Sequence, residues 1–131
     1  IVRQRVGGET AATSYSWKTL LDQGCTVSNG SDCPVERPHV MAGIQCAVTR
    51  CDLNGSGPYL PQQAFTVGQV LDSFTSWGAY ASFEESFKGK IQPGMAADFV
   101  VLGENPFEVP ANQIKDIPIV ATYLGGRKIF G

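Results

Sequence analysis

Apolar residues recur at helical spacing up to about residue 88 of this chain and at strand spacing after it, and that change of period bounds what it can fold into. Its 131 residues suffice for one ordinary domain with a real core or for parts of two. The boundary therefore falls between a helical α/β half, residues 1–88, and a small β half, residues 89–131. The expected class is mixed α/β.

Within the first half, Ser14 to Gln23 reads as a helix. Ser14 stands as its cap, Tyr15, Trp17, Leu20 and Leu21 supply apolar surface, and Gly24 occupies the left-handed C-terminal position. Cys25 to Asn29 follows as a short strand ending in Gly30-Ser31-Asp32, half of a βαβ unit. A second helix is expected from Pro38 to about Arg50, with Val40, Ile44, Ala47 and Val48 on one face. Asn54 to Pro61 reads as loop. Thr66 and Gln69 then form a capping box, with Phe65 packing on Val70 as a staple, and predict a helix from Val67 to about Ser82. Trp17, Phe74 and Trp77 are read as packing aromatics. In the second half Pro93-Gly94 marks a turn, Ala97 to Leu102 a strand, and Gly125-Gly126 a hairpin turn between Ile119–Leu124 and Arg127–Phe130. Asp98 suits a hydrogen-bonded turn, and Glu84, Glu85 and Lys88 a solvated patch.

Several function classes drop out. The net charge is −2 with no basic run, so binding to nucleic acid has no electrostatic footing. A membrane span takes roughly 20 consecutive apolar residues, and none is present. Gly7-Gly8 lacks the strand before it and the Lys-Ser or Lys-Thr after it that a phosphate loop requires. The N-terminus shows no signal pattern, and without an initiator Met the chain is expected to begin inside a longer one. Cys25, Cys33, Cys46 and Cys51 form no CxxC pair. Buried, reduced thiols in a cytoplasmic protein are the ordinary reading, with a zinc site or disulfides as alternatives. His39 is read as a solvent-facing or helix-start residue.

Asp32 is the candidate for chemistry. In a (β/α)8 barrel the catalytic groups project from the C-terminal ends of the strands, and an Asp following helix and short strand fits that place. A carboxylate there can ligate a divalent metal and accept a proton from metal-bound water. Turn formation is the competing role for Asp after Gly-Ser.

The run Ser14 to Gly24, then Val27, then Gly30-Ser31-Asp32-Cys33-Pro34-Val35-Glu36 resembles the last barrel strand of the amidohydrolase superfamily, and more narrowly its YtcJ-like branch. Gly43-Ile44 with Ala47 to Arg50 is similar to the helix that follows there, and Thr66 to Phe83 to the next one. Gly89 to Leu102 resembles the return to a small β-sandwich, and Ile119 to Phe130 its closing hairpin. Met95 and Lys90 depart from the family pattern, at turn or surface positions.

The resemblance implies the last α/β unit of an incomplete TIM-type barrel, the following helices, and C-terminal strands of a small β-sandwich. It implies a metal-dependent hydrolase of carbon–nitrogen bonds in a small molecule, with Asp32 as metal ligand and general base. A divalent metal, zinc first, belongs to the parent protein and none to the isolated chain. The family's His-x-His, bridging ligand and two further histidines would all precede Ile1, and a whole barrel takes roughly 250 residues. The isolated chain is therefore expected to be inactive. The competing expectation is a non-enzymatic module that self-associates to cover exposed barrel surfaces.

Overall fold

The computed structural model describes residues 2–131; Ile1, the first residue of the N-terminal half drawn from the sequence, lies outside them. Among the described residues, six α-helices precede three strands: α1 Val2–Val6, α2 Gly8–Thr13, α3 Trp17–Asp22, α4 Val40–Thr49, α5 Val67–Phe74, α6 Ser76–Ala81, β1 Phe99–Leu102, β2 Ile119–Leu124 and β3 Arg127–Phe130. Short 3-10 turns occupy Pro61–Gln63 and Ala111–Asp116. The strands form one antiparallel sheet in the order β1-β2-β3.

The core forms where α4 and α5 meet the second 3-10 turn and the segment after it. Met41 and Ile44 of α4, Phe65 and Val70 of the capped α5 turn, and Ile114 and Ile117 pack into one buried cluster. Ile44 is 1% exposed, and Val70 and Ile114 are 0% exposed. Leu21, Val27, Ala47, Val48, Phe74, Leu102 and Ile119 close around them. The cluster takes residues from both sides of position 88. It is tied by a polar bond as well: the Lys115 N–H donates to Gln45 Oε1 at 3.0 Å, which satisfies a buried amide beside the apolar contact.

Local signals in the sequence explain most of the element ends. The capping box forms in full, with Gln69 N–H donating to Thr66 Oγ1 and Thr66 N–H to Gln69 Oε1. At the end of α3, Gly24 adopts φ 90°, its N–H donates to the Leu21 carbonyl, and the Cys25 N–H donates to the Leu20 carbonyl. That pair of bonds is a Schellman closure, and it needs a residue at ease with positive φ. Gly125 and Gly126 both have positive φ, the geometry that matches a two-residue hairpin to strand twist. Asp98 Oδ1 accepts from the Gly125 N–H at 2.6 Å and pins that turn to the start of β1, as expected of a turn residue. Glu84 pairs with Lys88 at the surface.

Three expectations need correction. Cys25 to Asn29 is extended but forms no strand, because no second extended segment among the described residues lies beside it to share a ladder. The first helix begins at Trp17, with Ser16 at the cap position; Ser14 spends its hydroxyl on the Thr10 carbonyl, closing the helix before it. The helix expected from Val67 to Ser82 breaks at Thr75, whose φ −126° and ψ −94° are not helical. Ser73 Oγ donates to the Val70 carbonyl and Thr75 Oγ1 to that of Leu71, so hydroxyls compete for the helix's own acceptors just where it ends. Trp17, half exposed, packs edge-on against Tyr15, which fits its reading as a packing aromatic.

Two outcomes test this account. Thr66→Ala should lower unfolding stability by about 1 kcal/mol through loss of the cap. Ile114→Ala should cost about 2–5 kcal/mol by leaving a cavity against Ile44 and Val70. Urea unfolding followed by circular dichroism measures both, and a loss at Ile114 no larger than that at Thr66 would contradict the core described here.

Candidate active-site turn around Asp32

The chain from Gly24 to His39 bridges α3 and α4 and carries every residue of the Gly-Ser-Asp motif. Its middle is anchored on α5. The Asn29 N–H donates to the Ser73 carbonyl at 3.1 Å, and Asn29 Nδ2 donates to Ser73 Oγ at 2.8 Å. The helix break at Thr75 explains why that carbonyl accepts from a distant segment.

Past this anchor the chain turns sharply. Asp32 sits at φ 52°, in the left-handed region that Asp tolerates better than most residues. Its carbonyl accepts from the Val35 N–H at 2.8 Å, and the Ser31 carbonyl accepts from the Glu36 N–H at 3.3 Å. The backbone of the turn is thus bonded within itself. The Asp32 side chain stands exposed to solvent.

His39 belongs to the next helix. Its Nδ1 accepts from the Ala42 N–H at 3.2 Å, making the imidazole the N-cap of α4, in line with the helix-start role expected of it. The four cysteines are free. Cys25 and Cys33 are exposed and Cys46 and Cys51 half-buried, so the expectation of buried thiols fails at the first two, which lie on the irregular connection and not in a packed element. Burial, aided by the nearby charges of Asp52, Cys51 and Glu36, pushes the Cys46 thiol up and so keeps it protonated, the form that does not ligate metal.

An apolar groove of about 890 Å³ runs between the α4–α5 pair and the sheet. Met41, Leu71, Phe74, Phe99 and Tyr123 line it, while Arg37, His39 and Asp98 stand among its polar groups. Asp32 is not part of its wall.

A catalytic metal takes three protein ligands and an open position. Among the described residues no three His, Cys, Asp or Glu side chains gather to hold an ion. Asp32 suits one ligand position, being an exposed carboxylate on an ordered turn, but the donors of this chain do not make a complete set. The residues missed from sequence are Asn29 and Ser73. The signal was a hydroxyl residue on the buried stripe of α5, three positions after Val70, where a core position should be apolar.

Comparison with known proteins places the chain. The model of the Amidohydrolase family matches residues 1–130. The protein named "Putative amidohydrolase YtcJ" from Bacillus subtilis (strain 168) is 32% identical over 98% of this chain and 25% of its own length. Protein LONG AFTER FAR-RED 3 of Arabidopsis thaliana is 28% identical over 98% of the chain and 22% of its own. The N-substituted formamide deformylase of Arthrobacter pascens is 29% identical over 83% of the chain and 20% of its own. The crystal structure of an amidohydrolase from Thermotoga maritima MSB8 matches in fold, with a TM-score of 0.66 at 21% identity over 88% of this chain and 26% of that one. The chain thus spans about a quarter of the length of the curated relatives it matches. On the extent of the family match and of the 32% identity, this chain belongs to the amidohydrolase family.

Proposed function

We propose that these residues are the last α/β unit, the following helices and the C-terminal sandwich strands of a metal-dependent hydrolase that cleaves carbon–nitrogen, non-peptide bonds in a small molecule. On this reading residues 1–88 complete a TIM-type barrel and residues 89–131 belong to the small β-sandwich. The observation that carries it is the Asp32 turn: a solvent-facing carboxylate at φ 52°, on a segment pinned to α5, within a chain of this family. Similarity to a formamide deformylase supports the bond type.

Asp32 would hold one position of a divalent metal, zinc in the first instance, with the remaining ligands supplied from outside these residues. When bound there, such a metal would supply Lewis-acid activation of the hydrolytic water. The Asp32 carboxylate accepts a proton from the hydrolytic water and returns it to the leaving nitrogen. Four free cysteines suit the reducing cytoplasm, and no helix among the described residues is long and apolar enough to cross a membrane.

A second reading has its own support. Val100, Val120, Leu124, Ile129 and Phe130 are exposed apolar residues on a three-stranded sheet, the surface a self-associating, non-enzymatic module would use. Light scattering over a wide concentration range separates the two: a monomer throughout counts against self-association.

The 131-residue chain alone is expected to carry no stoichiometric metal after dialysis and to turn over neither amides nor esters. Stoichiometric zinc that disappears in Asp32→Ala would mean that the chain completes its own site, and the division of ligands proposed here would be wrong.

A further inference from the structure

We propose that Asn29 and Ser73 are positioning residues: their paired hydrogen bonds set the Asp32 turn in place from the flank of α5. The inference rests on the reading of Asp32 as the site carboxylate and goes beyond it in naming what holds that carboxylate.

Two residues, Gly30 and Ser31, separate Asn29 from Asp32, and the segment has no sheet partner among the described residues to fix it. Barrel strands are ordinarily held by ladders on both sides, but here, past the Cys25 N–H that closes α3, the only backbone bond from the extended segment to a packed element, among the described residues, is Asn29 N–H to the Ser73 carbonyl. The side chains double it, Asn29 Nδ2 to Ser73 Oγ at 2.8 Å. Ser73 is itself immobilised: it is 0% exposed, and its hydroxyl donates to the Val70 carbonyl at 2.6 Å. Val70 belongs to the core cluster, so the clamp connects the turn to the buried core in two bonds.

A hydroxyl in that buried position would be a poor choice for packing alone. Removing it leaves the half-buried Asn29 amide without its acceptor, at the cost of that hydrogen bond. The break at Thr75 completes the arrangement by leaving the Ser73 carbonyl to Asn29. From Asn29 the chain then has only Gly30 and Ser31 before the left-handed Asp32, too short a tether for the turn to wander. A residue held at positive φ by its surroundings is the arrangement expected where a side chain must point one way.

Amide hydrogen exchange on the full 131-residue chain tests this. The reporters are the Val35 and Glu36 amides, which bond to the Asp32 and Ser31 carbonyls, with the Ile44 amide of α4 as control. Asn29→Ala should speed exchange at Val35 and Glu36 by about tenfold, the loss of roughly one hydrogen bond. Ile44 should be unchanged. Ser73→Ala should do the same, and the double variant should add little to either single one, since both remove one bond. Should Ser73→Ala fail to fold, Asn29→Ala, at a half-buried site, decides alone. Unchanged Val35 and Glu36, or a rise shared equally by Ile44, would overturn the proposal, because the pair would then support the fold at large and not the turn. The assignment of Asp32 fails by a different reading, Asp32→Asn in the full-length hydrolase with metal content and turnover intact.

Discussion

Everything in this chain hangs on the contact between α4 and the 3-10 turn at Ala111–Asp116. Ile44 and Ile114 lie at its centre, Val70 closes the third side, and the Gln45–Lys115 hydrogen bond removes the polar penalty of bringing a backbone amide there. No single helix here is long enough to be stable by itself, since isolated helices of fewer than about 12 residues are marginal in water. Burial against the turn makes α4 and α5 persist. The sheet reaches the same cluster through Leu102 and Ile119.

The Asp32 turn is positioned from that centre at its two ends and its middle. Upstream, α3 is closed by the Schellman bonds at Gly24 and held to the first 3-10 turn by Gln63, which bonds both the backbone and the hydroxyl of Thr19. Downstream, His39 caps α4. Between them Asn29 grips α5. An otherwise irregular segment of about fifteen residues thus takes a defined course, the general condition for a loop to carry chemistry on a rigid scaffold.

The features legible in the sequence were those with short-range causes. The capping box at Thr66 and Gln69, the Gly24 closure, the Gly125-Gly126 hairpin and the Asp98 turn each depend on residues whose chemistry dictates a local conformation, and each formed. The failures share a different cause. A strand is a pairing, so Cys25 to Asn29 could not be one without a neighbour. The split of α5 from α6 depends on hydroxyls that satisfy helix carbonyls and on a distant Asn, neither of which enters a count of apolar periodicity. The Gly-Ser-Asp motif that ends in Asp32 stands in the sequence; the anchor beside it does not, because Asn29 and Ser73 are 44 residues apart and meet only in the fold.

The separation between Gln45 and Lys115 has a consequence for how such a chain is made. They are 70 residues apart, so at ordinary synthesis rates of about 5–20 residues per second α4 waits roughly 4–14 s for the segment that covers it. During that interval the Ile44 and Val70 faces stand open on the nascent chain, where they are available to chaperones or to one another on neighbouring chains. The order of emergence is helices first and their cover last, so the apolar faces of α4 and α5 are completed only when residues 111–117 have been made.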